Sequence, residues 1–269
     1  FGVNAGIDFN STPPVGLSGS AMNTMYVSAC VADSLGNLLF YSQGMSVYNR
    51  NHQIMPNGNG LFGGQNTQAV YAVKKPGSEN LYFLFTIYSN LMPINYGLYY
   101  SLIDMNLNGG LGDVVSGFKN IPVAGGEDVV NGIHGTRHFN NHDAWIVVRK
   151  TATNEYAAYR VTSSGISTTP ILSSCSVVGC GFNSCGYVEL KISQDGTKYV
   201  FVSNNPQQGL HFAEVGLFNC NTGVLTPVFQ FRPVNPLNLA FVDPRNSEFS
   251  PRSEERRVGN ECRSRWSPD

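Results

Sequence analysis

Apolar residues along this chain alternate with polar ones over short runs, and each run is closed by Asn, Asp, Gly or Ser. In "KYVFVS", Tyr199 and Phe201 fall on one side of an extended backbone and Val200 and Val202 on the other. A period of two belongs to strands rather than helices, and a strand apolar on both sides is one buried on both faces. Four stretches share one grammar of polar turn, aromatic-rich strand, loop and second strand. They are "DSLGNLLFYSQGMSVYNRN", "KPGSENLYFLFTIYSN" with "GLYYSLIDMNLNGG", "RHFNNHDAWIVVRKTATNEYAAYRVTSSG", and "KISQDGTKYVFVSNNPQQGLHFAEVGLFNCNTG". Phe40, Tyr82, Trp145 and Tyr199 mark the common register, and "SLGN", "FNNHD", "SQDGT" and "CNTG" supply the residues that tight hairpins need at positive φ.

Antiparallel units of this size cannot bury their faces alone. The pattern therefore predicts an all-β, β-propeller-like fold of four-stranded antiparallel blades, of the kind seen in WD-repeat and YVTN-like proteins. Radial stacking is preferred to a sandwich because a sandwich does not require four similar units. Composition agrees: of 269 residues only 13% are charged, while 29 are Gly and 29 are Tyr or Phe. The formal charge of −1 gives no reason to expect a nucleic-acid partner, and no apolar run has the length of a membrane-spanning helix, so no membrane insertion is expected.

Charge is distributed unevenly, however. The last stretch, Arg252 to Asp269, holds five arginines, and "RSEERRVGNECRSRW" resembles the translation of a sequencing-adapter oligonucleotide. The expected organisation is a propeller domain over 1–251, with its last blade interrupted, and a non-native, disordered tail over 252–269. "ISQDGTKYVFVS" resembles the hairpin common to many propeller blades, and "EFSP" (Glu248 to Pro251) resembles the onset of the next one. A start at Phe1 fits a trimmed mature protein or a fragment, and a covalent continuation into missing C-terminal domains is expected.

Several stretches together resemble the N-terminal region of large secreted Bacteroidetes proteins exported by the gliding-motility-linked type IX system. They are "FGVNAGIDFN", "GNLLFYSQGMSVYNRNHQIMPNG", "YSLIDMNLNGGLGDV", "RHFNNHDAWIVVRK" and "YAAYRVTSSGI". The sequence departs from that family at Ser42, Gln43 and Gly44, where Thr-Asp-Gly is usual, and at Cys30, where a small residue is usual. The resemblance implies an extracellular or cell-surface propeller-like module, followed by immunoglobulin-like repeats and a C-terminal sorting domain. It implies no catalytic activity.

Residues able to carry chemistry are few. Asp104, Asn106, Asn108 and Gly109 match the first positions of a calcium loop, but Val115 stands where a bidentate Glu should be, so a plain turn is preferred to calcium and no cofactor is expected. His134, His138 and His142 recur every fourth residue, a zinc spacing only on a helix, and this segment reads as strand, turn, strand. Cys175, Cys180 and Cys185 lie in a Gly- and Ser-rich loop where a disulfide would staple an insertion with little core of its own. With Cys30 and Cys220 they make an odd number outside the tail, and spacing leaves the pairing open.

Among the acids, Asp8, Glu127, Asp128, Glu189 and Glu214 are not explained by turns and are the candidates for a glycosidase pair. No nucleophile elbow, phosphate loop or dinucleotide fingerprint is present. The expectation is thus a non-enzymatic binding or adhesion module for a glycan or a surface protein, with an extracellular glycan hydrolase and a structural scaffold as alternatives.

Overall fold

The computed structural model describes residues 4–24, 27–64, 68–88, 97–151, 153–176, 187–205, 210–231 and 249. The chain is all-β. Its twenty described strands pair antiparallel in five sheets, with one 3-10 turn over Asn108–Gly110 and no α-helix among the described residues. No helix among them is therefore long and apolar enough to cross a membrane.

A hairpin comes first, β1 (Ala5–Asp8) with β2 (Val15–Ser18). The first large sheet is a meander of β3 (Ala29–Ala32), β4 (Leu38–Ser42), β5 (Ser46–Asn49) and β6 (Ile54–Asn59). The second runs β7 (Val70–Lys74), β8 (Leu81–Tyr88) and β9 (Gly97–Asp104), whose outer edge is shared by β10 (Asp113–Val114) and β11 (Ile121–Glu127). In the third, β12 (His134–Arg137) and β13 (Ala144–Arg149) lead to β14 (Glu155–Thr162), whose far edge is shared by β15 (Gly165–Ile166) and β16 (Ile171–Ser174). The fourth is β17 (Tyr187–Ile192), β18 (Lys198–Asn205), β19 (Leu210–Phe218) and β20 (Leu225–Phe231). Phe40, Tyr82, Trp145 and Tyr199 each sit on the second strand of their sheet, and all four are buried.

Turn chemistry sets these registers. Between β17 and β18, Ser193 Oγ accepts from Lys198 N at 2.9 Å while Asp195 accepts from both the backbone and hydroxyl of Thr197. Asn141 closes the β12–β13 turn at φ 57°, a conformation Asn tolerates through its short polar side chain. Gly223, at φ 79°, lies so close to Trp145 that a Cβ would come within 2.7 Å of the indole, so this turn excludes any side chain on two counts.

The sheets pack face to face in chain order. One core cluster joins the first three sheets through Phe40, Leu84, Phe85, Ile103, Ile146 and Tyr159, among others. A second joins the third and fourth through Trp145, Tyr156, Leu190, Tyr199 and Phe201. The first strands of the sheets also adjoin in succession, β3 against β7, β7 against β12 and β12 against β17. Side chains satisfy backbone groups across these junctions. Tyr71 Oη donates to Gly135 O at 3.0 Å, Gln68 Oε1 accepts from Leu190 N at 2.8 Å, and His134 Nδ1 accepts from Ile192 N at 3.3 Å. Edge strands that meet without pairing need such partners, because an orphaned backbone group out of water is costly.

The junction of the third and fourth sheets contains a charged group. Glu214 on β19 is fully buried, yet Oε1 accepts from Tyr156 Oη at 2.7 Å and from Tyr199 Oη at 2.8 Å, while Oε2 accepts from the N–H of Ser176 at 2.7 Å and from its hydroxyl. Four donors make a buried carboxylate tolerable where an unpartnered one would not be. Beside it, the buried Arg149 holds its guanidinium 4.9 Å from the Phe201 ring centre and donates from Nη2 to the sulfur of Cys175 at 3.0 Å. Burial, reinforced by the neighbouring carboxylate, pushes the phenols of Tyr156 and Tyr199 far above their ordinary range, so both act as hydrogen donors. Replacing Glu214 with Ala strands two buried hydroxyls and an N–H, and is expected to lower stability by about 3 kcal/mol or more in urea unfolding. Glu214→Gln keeps a carbonyl acceptor and should lose about 1–2 kcal/mol; equal losses for the two variants would contradict this account.

Candidate functional site

A cavity of about 850 Å³ lies between the β1–β2 hairpin and the outer face of the first sheet. It arises because that face is apolar and the hairpin covers it only in part. Tyr41 and Tyr48 stack at 5.1 Å on this face, and Met22 packs against both, with Leu38 alongside. The chain leaving the hairpin is tied down by Ala21 N, which donates to Tyr41 Oη at 3.0 Å. The hairpin forms the opposite wall; Ile7 and Leu17, which its register places on opposite faces, are each about half exposed.

The β5–β6 turn supplies the polar end. Asn49 Oδ1 accepts from Asn51 N at 2.9 Å and from Gln53 N at 3.2 Å, and His52 adopts φ 62°, a conformation uncommon outside Gly. Arg50 and His52 thereby line the cavity, and Arg50 also reaches the carbonyl of Gly110 in the second sheet. Tyr41 Oη lies 3.0 Å from His52 Nδ1. The same hydroxyl accepts from Ala21 N, so Tyr41 links the β5–β6 turn to the chain leaving the hairpin.

Of the five unexplained acids only Glu127 and Asp128 come together. Asp8 lines the hairpin cavity, its Oδ1 accepting from Asn10 N at 2.9 Å. Glu127 and Asp128 are exposed chain neighbours at the end of β11, with Asp128 at φ 54°. Glu189 on β17 is 3.7 Å from Lys191, on the face of the fourth sheet opposite Glu214, since their β18 partners are the adjacent residues Val202 and Phe201. Glu214 is enclosed by the donors described above and has no access to a substrate.

The histidines part in the same way. His134 lies on β12 against the Tyr71 ring, His138 is buried with its ring stacked on Trp145 at 5.6 Å, and His142 is exposed. Asp104, Asn106 and Asn108 form a turn whose polar groups bond locally: Asp104 Oδ1 accepts from Asn106 N, and Asn106 Oδ1 from Asn80 Nδ2. Among the described residues no three His, Cys, Asp or Glu side chains gather as a metal site. Cys175 follows β16 and meets Arg149, whereas Cys180 and Cys185, like the tail, lie outside the described residues. Cys30 lines the hairpin cavity.

Sequence reasoning missed Tyr41, Arg50 and His52. Tyr41 and His52 are 11 residues apart and become partners only when the β4–β5 hairpin folds back, and no spacing rule marks them.

Searches against protein families and against curated proteins found no match. Among solved structures, the X-ray structure of a hypothetical selenium-binding protein from Sulfolobus tokodaii is similar with a TM-score of 0.40 and 13% identity, over 68% of this chain and 44% of that one. The chain thus spans less than half the length of that relative.

One carboxylate is set up to report on acid stability. Asp143, nearly buried in the β12–β13 turn, would be raised by burial, but hydrogen bonds from His142, Arg160 and Asn140 outweigh this and hold its pKa at about 2. An unfolded Asp titrates near about 3.9, so the folded state binds its proton later, and the stabilisation present above about pH 4 is lost as pH falls toward about 2. Asp143→Asn is expected to flatten the pH dependence of unfolding between about pH 4 and pH 2, measured by urea titration at each pH.

Proposed function

We propose that this chain is a non-enzymatic extracellular binding or adhesion module of a large secreted bacterial protein, with its four large sheets arranged radially as propeller blades. Supporting the radial reading, the first strand of each sheet adjoins the first strand of the next, and the side chains of Tyr71, Gln68 and His134 stitch those inner edges together. The resemblance to type IX secreted proteins supports the location. A glycan or surface protein is the ligand class this reading carries.

The observation that weighs most is the separation of the acids. Hydrolysis by two carboxylates needs a pair at a defined distance across one substrate. Here Asp8, Glu189 and Glu214 occupy the hairpin and opposite faces of the fourth sheet. Glu127 and Asp128 are together and line a concavity of about 130 Å³ beside β9 and β11, below the size that encloses a small-molecule ligand. Among the described residues the hairpin cavity is lined by one carboxylate, that of Asp8.

The test is incubation of the purified chain with a panel of plant and bacterial polysaccharides, with reducing ends and gel retardation measured in parallel. Retardation by at least one polysaccharide without release of reducing sugar is expected. Time-dependent release that disappears in a Glu127→Gln variant would overturn the non-enzymatic reading.

A further inference from the structure

We propose that the cavity beneath the β1–β2 hairpin is the site of a neutral glycoside, a mono- or disaccharide unit. This assignment rests on the reading of the chain as a binding module and names its ligand class. The argument runs from size, charge and hydrogen-bond valence.

At about 850 Å³ the cavity lies within the range that encloses a small-molecule ligand. Among the described residues its lining holds one carboxylate, Asp8, one guanidinium, Arg50, and the imidazole of His52. A net cation or anion would meet its like charge together with its partner, so the balance favours a ligand without net charge. The polar groups are of both kinds. The Arg50 guanidinium can only donate, and Asp8 has an oxygen beyond the one used by Asn10, which can only accept. A ligand that satisfies both must itself donate and accept, which is the property of a hydroxyl and of vicinal hydroxyls above all. On the hairpin, Leu17 shares the face of Asp8, and with Met22 and Leu38 it gives an apolar stretch of lining that suits the C–H face of a pyranose ring.

Occupancy can be read on the full chain through Cys30, an exposed thiol in the cavity wall. Its alkylation by N-ethylmaleimide would be followed by mass spectrometry of the Cys30 peptide. The probes are the methyl glycosides of glucose, galactose, mannose and N-acetylglucosamine, and the β-1,4-linked disaccharides of these sugars. Octanoate and octyltrimethylammonium serve as ionic amphipaths. At least one neutral sugar is expected to slow alkylation by about tenfold when present at about ten times its Kd. His52→Ala and Asp8→Asn should each weaken that protection by about tenfold. Circular dichroism and the alkylation rate without ligand would establish that the variants remain folded.

Protection by octanoate or octyltrimethylammonium but by no sugar would overturn the glycoside assignment and leave the binding-module reading standing. Protection by none of the probes would overturn the assignment as well, while gel retardation by polysaccharide would still judge the broader reading on its own. Sugar binding that neither shields Cys30 nor responds to His52→Ala would place the glycoside elsewhere and overturn the site. Cleavage of a disaccharide would instead count against the non-enzymatic reading.

Discussion

Every large sheet in this protein has to be covered on both sides, and the rest of the structure follows from that. In β8 six consecutive residues from Tyr82 to Ile87 are buried, so Tyr82 and Leu84 need a neighbour on one face and Phe83 and Phe85 on the other. β13 and β14 carry the same burden. Such strands cannot end in water on either face, and the hydrophobic effect rewards only an arrangement that continues from sheet to sheet. Face-to-face stacking in turn leaves the first strands meeting edge on, where no β-ladder connects them. Tyr71 and His134 reach across two of those junctions, and Gln68, just before β7, reaches β17 of the fourth sheet; each bonds a backbone group that would otherwise be stranded.

The two core clusters meet this demand differently. Between the first three sheets the contacts are overwhelmingly apolar, and many hydrophobic side chains could exchange places there at modest cost. Between the third and fourth sheets, Glu214 from one sheet is gripped by Tyr156 from the other and by Ser176 beyond β16. A buried carboxylate gains little net energy over an apolar substitute, but it penalises any packing that does not return all its donors. Sliding one sheet over the other by a residue would break these bonds together, so the cluster selects a single register at a junction where hydrophobic contact alone would accept several.

The hairpin cavity has the opposite origin, a face covered incompletely. Tyr41 and Tyr48 are buried on that face, but the two strands are not fully shielded themselves, which leaves Ile7 and Leu17 half exposed and a space between the two layers. Closing that space would require a full sheet. What fills the edge of it instead is the β5–β6 turn, held by Asn49, which delivers Arg50 and His52 to a position where their polar ends and the apolar floor face the same volume.

Much of the fold could be read before any coordinates. Alternation of period two in "KYVFVS" and the Asn, Asp and Gly of the four turns were enough to establish strands and their antiparallel hairpins, because these depend on local geometry and on side-chain direction along a strand, whereas the aromatic-rich strand of each unit, read as its first, is the second strand of its sheet. The candidate site was not legible in the same way. His134, His138 and His142 share a spacing and end in three different environments, while Tyr41 and His52, which share no pattern, become hydrogen-bonded partners. Glu214 stood out as an acid without a turn to explain it, yet its four donors come from three other segments of the chain. The sequence by itself determined that this is an all-β chain of antiparallel strands, since strand period and turn chemistry act over a few residues. Only the tertiary structure decided which acid is buried, which faces meet and where a cavity opens, because those are settled by contacts between residues far apart in the chain.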